Sequence, residues 1–202
     1  QKLTEAAHLL DTSIEQLNKN TGVQNTWRAS AYSTRATIFE KEEQFEKATA
    51  YYKKAEEIYR EIYKGNFNND ILNEFGKMAL FYAKQDNETK ALDLGTEIYQ
   101  ITKTGDFKNT PQEQTNTLVL ANIYLQLGAY DQAIAYSDEA INFQMNTSEN
   151  KVSLQDSVLL QFSKPNAYLT KAKGIYAKNK SLSKEELAEL LDLLKKGISI
   201  LE

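Results

Sequence analysis

The chain of 202 residues has no cysteine, and this alone excludes disulfides and thiolate metal sites. It says nothing of the compartment, because a cysteine-free chain suits reducing and oxidising surroundings alike. A single histidine, His8, cannot build a typical metal site or fill the partner roles of a Ser-His arrangement, and it reads as a boundary or surface residue. Two prolines and eight glycines leave few helix breakers in a chain rich in Ala, Leu, Glu, Lys and Gln, which points to an all-α protein. There is no excess of basic charge. The net charge of −4 argues against a nucleic-acid partner or an anionic membrane surface. No apolar run approaches the ~18 residues of a membrane span, so no membrane insertion is expected. No signal peptide is visible at Gln1, though a trimmed chain would not show one.

The signatures of common catalytic chemistry are also missing. No Gly-rich phosphate loop, HExxH, nucleophile elbow or kinase motif occurs. Glu42/Glu43 and Glu185/Glu186 fall in turns or first helical turns, where they suit the positive end of a helix dipole rather than acid–base catalysis. Runs such as Lys53-Lys54-Ala55-Glu56-Glu57 alternate in sign and read as solvated faces. The expectation is a protein that is not an enzyme and needs no cofactor or metal.

What is present is self-similarity. Phe45, Ala48, Tyr52 and Ala55 shifted by 85 fall on Tyr130, Ala133, Ser137 and Ala140, and Ala36 and Phe39 fall on Ala121 and Tyr124. A middle copy, 43 residues after the first, supplies Ala79, Tyr82, Ala91 and Ile98. Each unit reads as two helices, the first carrying small-x-x-aromatic and the second carrying a small residue at its crossing points. Steps of three and four put these residues on one face. A methyl group at the closest approach lets two helices cross tightly, and the aromatic fills the space one turn on. Short polar turns, such as Glu40-Lys41-Glu42-Glu43-Gln44, make the neighbours antiparallel.

The spacing predicts a half repeat over 1–20 (Leu3, Ala6, Ala7, Leu10, Ile14, Leu17), full repeats over 27–65, 70–104 and 111–147, and a degenerate repeat over 152–202. In the last, 152–162 reads as a short extra helix, Pro165 as a first-turn proline, and Tyr168, Leu169, Ala172 and Tyr176 as one packed face. Ser183 with Glu186, and Thr110 with Glu113, read as capping boxes. The chain ends within a helical pattern and reads as one repeat domain cut from a longer protein. Of the tyrosines, most sit at helical spacing as core, with Tyr51 and Tyr136 as candidates for solvent. Trp27 is either an exposed anchor for a partner or core against the half repeat, and core is the expectation.

Ala36/Phe39 followed by Ala48/Tyr52/Ala55 resembles the tetratricopeptide repeat. HEAT repeats share a period near 42, but the Ala/aromatic slots are closer to tetratricopeptide units. The period resembles that of the long variety found in kinesin light chains and bacterial peptide-sensing regulators. The resemblance implies about nine helices in a right-handed superhelix of antiparallel pairs, with no strand. It implies a protein- or peptide-binding scaffold, or alternatively a ligand-responsive sensor input of a larger signalling or regulatory protein. The concave face of such a stack is lined by the first helix of each unit. The slots facing away from the Ala/aromatic stripe give the groove candidates Ser33, Thr37, Asn73, Leu80, Lys84, Leu118, Asn122 and Gln126. Asn73 and Asn122 are either solvated surface amides or, as in the family, clamps on a peptide backbone. The family's carboxylate clamp is not expected, because Ser33, Gly76 and Leu118 stand where a basic residue is needed.

Overall fold

The computed structural model describes residues 2–19, 26–144, 154–179 and 181–200, with side chains excepted at 2–4 and 154–161. The expected positions Leu3, 145–147, 152–153 and 201–202 fall outside this description. Among the described residues the chain is all-helical, without strand, and 84% helical, against about one-third for an ordinary domain. Nine helices follow in order: α1 (Lys2–Lys19), α2 (Thr26–Lys41), α3 (Phe45–Tyr63), α4 (Asn69–Lys84), α5 (Glu88–Thr102), α6 (Pro111–Gln126), α7 (Tyr130–Ile141), α8 (Leu154–Lys178) and α9 (Lys184–Ser199).

They form two compact units, 1–74 and 75–202. In the first, α2 packs on both α1 and α3. In the second, α5 packs on α6, α6 on α7 and α8, α7 on α8, and α8 on α9. Within each unit, this pairing of helices with their chain neighbours, and of α6 with the helix two further on, is the contact pattern of a helical solenoid.

The methyl slots account for this packing. Ala36, Ala48, Ala55, Ala79, Ala91, Ala121, Ala133 and Ala140 are all completely buried, as the spacing predicts. The turns repeat as faithfully as the helices. Gln44, Asn87 and Ala129 each donate their backbone N–H to the carbonyl of the aromatic slot five residues back (Phe39, Tyr82, Tyr124), at 2.9 Å in every case. One residue earlier in each turn, Glu43, Asp86 and Gly128 adopt the left-handed conformation, with φ of 59°, 54° and 73°. Only the third is the residue best suited to it. Glu43→Gly should therefore raise stability by about 0.5–1 kcal/mol, relief of side-chain strain outweighing the entropy of glycine. An unchanged or lower melting temperature would contradict this.

Helix α1 is fixed to α2 by polar contacts. Arg35, nearly buried, donates from Nε and Nη2 to the two oxygens of Asp11 at 2.8 and 3.1 Å and lies 3.8 Å over the Phe39 ring. Asn18 donates to the Tyr32 hydroxyl at 3.0 Å. His8 is exposed.

Several expectations are corrected. Trp27 is 76% exposed rather than core. It lies two residues before buried Ala29, so the ~100° step per residue puts it on nearly the opposite side of α2. Tyr51 and Tyr136 are half-buried in edge or stacked contacts with Phe39, Tyr32, Tyr99 and Tyr124. Helix α8 runs unbroken through Pro165, so 154–162 is continuous with it rather than a separate short helix. Loss of one backbone bond is outweighed by packing of the flanking turns, where Ser163 and Ala167 are buried. Leu169 and Tyr176 are exposed, whereas Ala172 is buried as expected and Tyr168 half-buried, and Ala167, Thr170 and Gly174 are buried as well. A Cβ on Gly174 would lie 3.0 Å from Ile134 of α7, so the missing side chain lets the helices meet. The Ser183/Glu186 capping box is present. That at Thr110 is not: its hydroxyl donates to Phe107 O at 2.6 Å, and Glu113 instead accepts from the Asn109 N–H at 2.6 Å.

Burial also makes an alkaline signature. It is the main cause that raises the Tyr99 hydroxyl to about 12, followed by the charge of Glu139. Tyr52 and Tyr59, still more deeply placed, are raised further, again chiefly by burial. The unfolded chain loses these protons near pH 10 while the folded chain holds them. Stability is thus full below pH ~10 and falls as pH rises toward 12. Urea midpoints at pH 9 and 11 test this, and equal midpoints would contradict it.

Candidate functional site

The groove candidates divide by environment. In the first unit Ser33 is buried and donates its hydroxyl to Glu74. Thr37 is half-buried, donating to Ser33 O at 3.1 Å and sharing a 3.1 Å hydrogen bond with the Tyr52 hydroxyl. Both side chains thus join helices. Asn73 is exposed on the first turns of α4.

In the second unit Leu118 is buried in a cluster with Ala121, Ala140 and Ala167. Asn122 is half-buried. Its Nδ2 donates to Leu118 O at 2.9 Å, and its Oδ1 accepts from Thr170 of α8 at 3.1 Å. That amide bridges α6 to α8. Leu80 is half-exposed, and Lys84 and Gln126 are exposed.

What the pattern of slots does not reveal is a cavity of about 450 Å³ in the first unit. Its wall combines Trp27 and Ser30 of α2, Tyr59 and Tyr63 of α3, and Asp70, Asn73 and Glu74 of α4. The local sequence explains the construction. Asn68 caps α4 by accepting from the Ile71 N–H at 3.1 Å, so the first turn of α4 starts at the cavity rim. Asp70 and Glu74, four residues apart, then share one helix face. Buried Ser33 holds the Glu74 carboxylate from beneath.

The Tyr59 hydroxyl reports the electrostatics. Its proton is held by burial first, then by the negative charges of Glu74 and Asp70, while a hydrogen bond with Ser30 works the other way. A second cavity of about 490 Å³ lies beside it between α1 and α2, with Leu10, Leu17 and Ala31 in its wall. Trp27 and Ser30 belong to both. One spacing signal could have found the site: Trp27 lies one turn before Ser30 on the helix that carries the groove candidates Ser33 and Thr37.

The tetratricopeptide-repeat family model matches residues 29–62, spanning α2 and α3, and residues 118–144, spanning most of α6 and all of α7. Over these two stretches the chain carries tetratricopeptide repeats. No curated protein matches it. Tetratricopeptide repeats are in general non-catalytic modules of protein–protein interaction. Among the described residues no helix is long and apolar enough to cross a membrane.

Beyond the matched stretches, α9 of the second unit carries an exposed apolar patch. Leu187, Leu191 and Ile198 are 48%, 49% and 58% exposed along one helix face.

Proposed function

We propose that this chain is a protein- or peptide-binding module, and that in its first unit the ligand occupies the cavity edged by Trp27, Ser30 and Asn73. The observation that carries this reading is Trp27, a large aromatic left exposed at a concave, partly polar wall. Ligand sites are concave, apolar in part and set with a few polar groups. Tryptophan is enriched where interfaces draw their energy. Asn73 offers both a donor and an acceptor to a peptide backbone.

Among the other groove candidates, the exposed Lys84 and Gln126 and the half-exposed Leu80 are placed to touch a ligand on the second unit's own face. Ser33, Thr37, Leu118 and Asn122 would act by holding the helices that present these groups. A nucleic-acid ligand is disfavoured by the net charge of −4.

A screen of displayed random peptides against the whole chain tests the reading. Selected peptides should bind Trp27→Ala at least about tenfold more weakly, and Asn73→Ala about twofold to tenfold more weakly, with melting temperatures little changed. Peptides that bind both variants as tightly as the parent would overturn the assignment to this cavity.

A further inference from the structure

Helices α8 and α9 form an antiparallel pair with one apolar side left open. Asn179 donates to Glu186 at 2.8 Å where the chain turns from one helix to the other. At the far end Gly197 lies against Pro165 and Tyr168, so close that a Cβ on it would meet the Pro165 carbonyl at 3.3 Å. Along α8, Phe162, Leu169 and Tyr176 recur every seven residues, and along α9, Leu187, Leu191 and Ile198 recur at steps of four and seven, so each set lines one face. All six are exposed. Leu169 and Ile198 edge a shared hollow of about 150 Å³ whose wall includes buried Leu193 and Gly197, which joins the two stripes into one groove.

Within the same unit, α8 itself packs on α6 and α7 together. That pair shows what a groove between neighbouring helices receives here: another helix, laid along both members. The rims of the open groove give the charge of its occupant. Lys173 stands four residues after Leu169, Lys195 four after Leu191 and Lys184 three before Leu187, spacings that put each lysine at the edge of its stripe. All three are exposed, and none has an ion-pair partner among the described residues. The acids of α9 turn away. Asp192 pairs with Lys196 at 2.6 Å, and Glu185 and Glu189 fall on the opposite flank by the ~100° step per residue.

We infer that this groove docks an amphipathic helix of a protein partner, its apolar stripe flanked on both sides by acidic residues. It draws on no residue of the first unit's cavity, and Trp27 plays no part in it. A contiguous exposed apolar surface with a polar rim marks an interaction site, and a helix meets such a groove with anchors at i, i+3, i+4 and i+7. Acidic flanks opposite the lysines would set its register and speed its arrival. Two copies of this chain meeting through the groove would set lysine rim against lysine rim. An anionic membrane would face the chain's net charge of −4.

A labelled helical peptide tests this, with leucines at i, i+3, i+4 and i+7 over about four turns and glutamates on both flanks. It is titrated into the intact chain by fluorescence anisotropy, beside a peptide with the same leucines and lysine in place of glutamate. The acidic peptide should bind about tenfold more tightly than the basic one, and the gap should narrow as salt rises. Leu191→Ser should weaken the acidic peptide about tenfold. Joint Lys173→Glu and Lys195→Glu should reverse the preference between the peptides, and Trp27→Ala should change nothing. Circular dichroism verifies that these exposed substitutions leave the fold intact.

Equal binding of the two peptides, binding of neither, or binding unmoved by Leu191→Ser and by the lysine reversal would each overturn the docking surface. Loss of binding in Trp27→Ala alone would put the peptide in the first unit's cavity, overturning this surface and sparing that reading. Sedimentation showing a dimer that Leu191→Ser dissolves would assign the groove to a second copy. Phosphatidylserine vesicles bound by the parent and released by Leu191→Ser would assign it to a membrane. Either result would overturn a helical partner.

Discussion

Tyr52→Ala should lower the unfolding free energy by about 3–5 kcal/mol, the largest single-site loss expected in this chain. Tyr52 is completely buried, the largest side chain of the first unit to be so. It occupies the second-helix slot between Ala48 and Ala55, both also buried, so its removal empties a closely packed layer. Its hydroxyl is shared with Thr37 at 3.1 Å and donates to Glu40 at 3.4 Å. Tyr52→Phe separates the two contributions. It keeps the ring and should cost only about 0.5–1.5 kcal/mol, the net value of a hydrogen bond. Urea unfolding gives both numbers, and a loss below ~1 kcal/mol for the alanine variant would contradict the packing described. At Tyr124, the corresponding aromatic of a first helix, the cost should be smaller, because that ring is half-buried and stacked flat on Tyr136 at 5.4 Å.

Glu113→Ala should cost about 2–3 kcal/mol through a different mechanism. The Glu113 carboxylate is nearly buried at the start of α6. It accepts from the Asn109 N–H at 2.6 Å and from Lys103 Nζ at 2.7 Å. Lys103 also pairs closely with Glu139, which accepts from the Tyr99 hydroxyl at 3.1 Å. Burial works to lower the Lys103 pKa, but its hydrogen bonds to Glu113 and Glu139 outweigh this and raise the group. Removing Glu113 strands a backbone donor and takes one of two carboxylates from the lysine. Glu113→Gln restores an acceptor without the charge and should recover about half the loss. Because the Lys103 pKa is raised, its contribution is complete below the ordinary lysine range and disappears as pH climbs through the folded value. The difference between parent and Glu113→Ala should therefore narrow in strong alkali. A difference independent of pH would contradict the ion pair.

These two positions mark where the sequence was legible and where it was not. Tyr52 and the eight alanines stand in a repeated register, and repetition makes burial readable: the same slot must meet the same neighbour in each unit. The turns were readable for the same reason. Glu113 was not, because hydrophobic periodicity registers only apolar residues. Helix α6 buries Gln112, Glu113, Gln114 and Asn116 in its first turns, using polar side chains to join its neighbours: Gln114 donates to Ala140 O at 2.8 Å. The fourth unit was only partly readable, since a longer spacer precedes it and its packing slot is Gly174, whose lack of a side chain leaves no apolar signal. At the candidate site, Asn73 was legible as an outward slot on α4. The cavity was not, because Tyr59, Tyr63 and Asp70 reach it from α3 and from the start of α4, and linear spacing carries no signal for three helices meeting.

The most direct test of the account is a map of amide and indole chemical shifts on the isotope-labelled chain as a screened peptide is added. The cavity reading predicts that the Trp27 indole N–H and the amides of Ser30, Asp70 and Asn73 move first and farthest. Shifts confined to the exposed α9 stripe of Leu187, Leu191 and Ile198, with Trp27 unmoved, would contradict it.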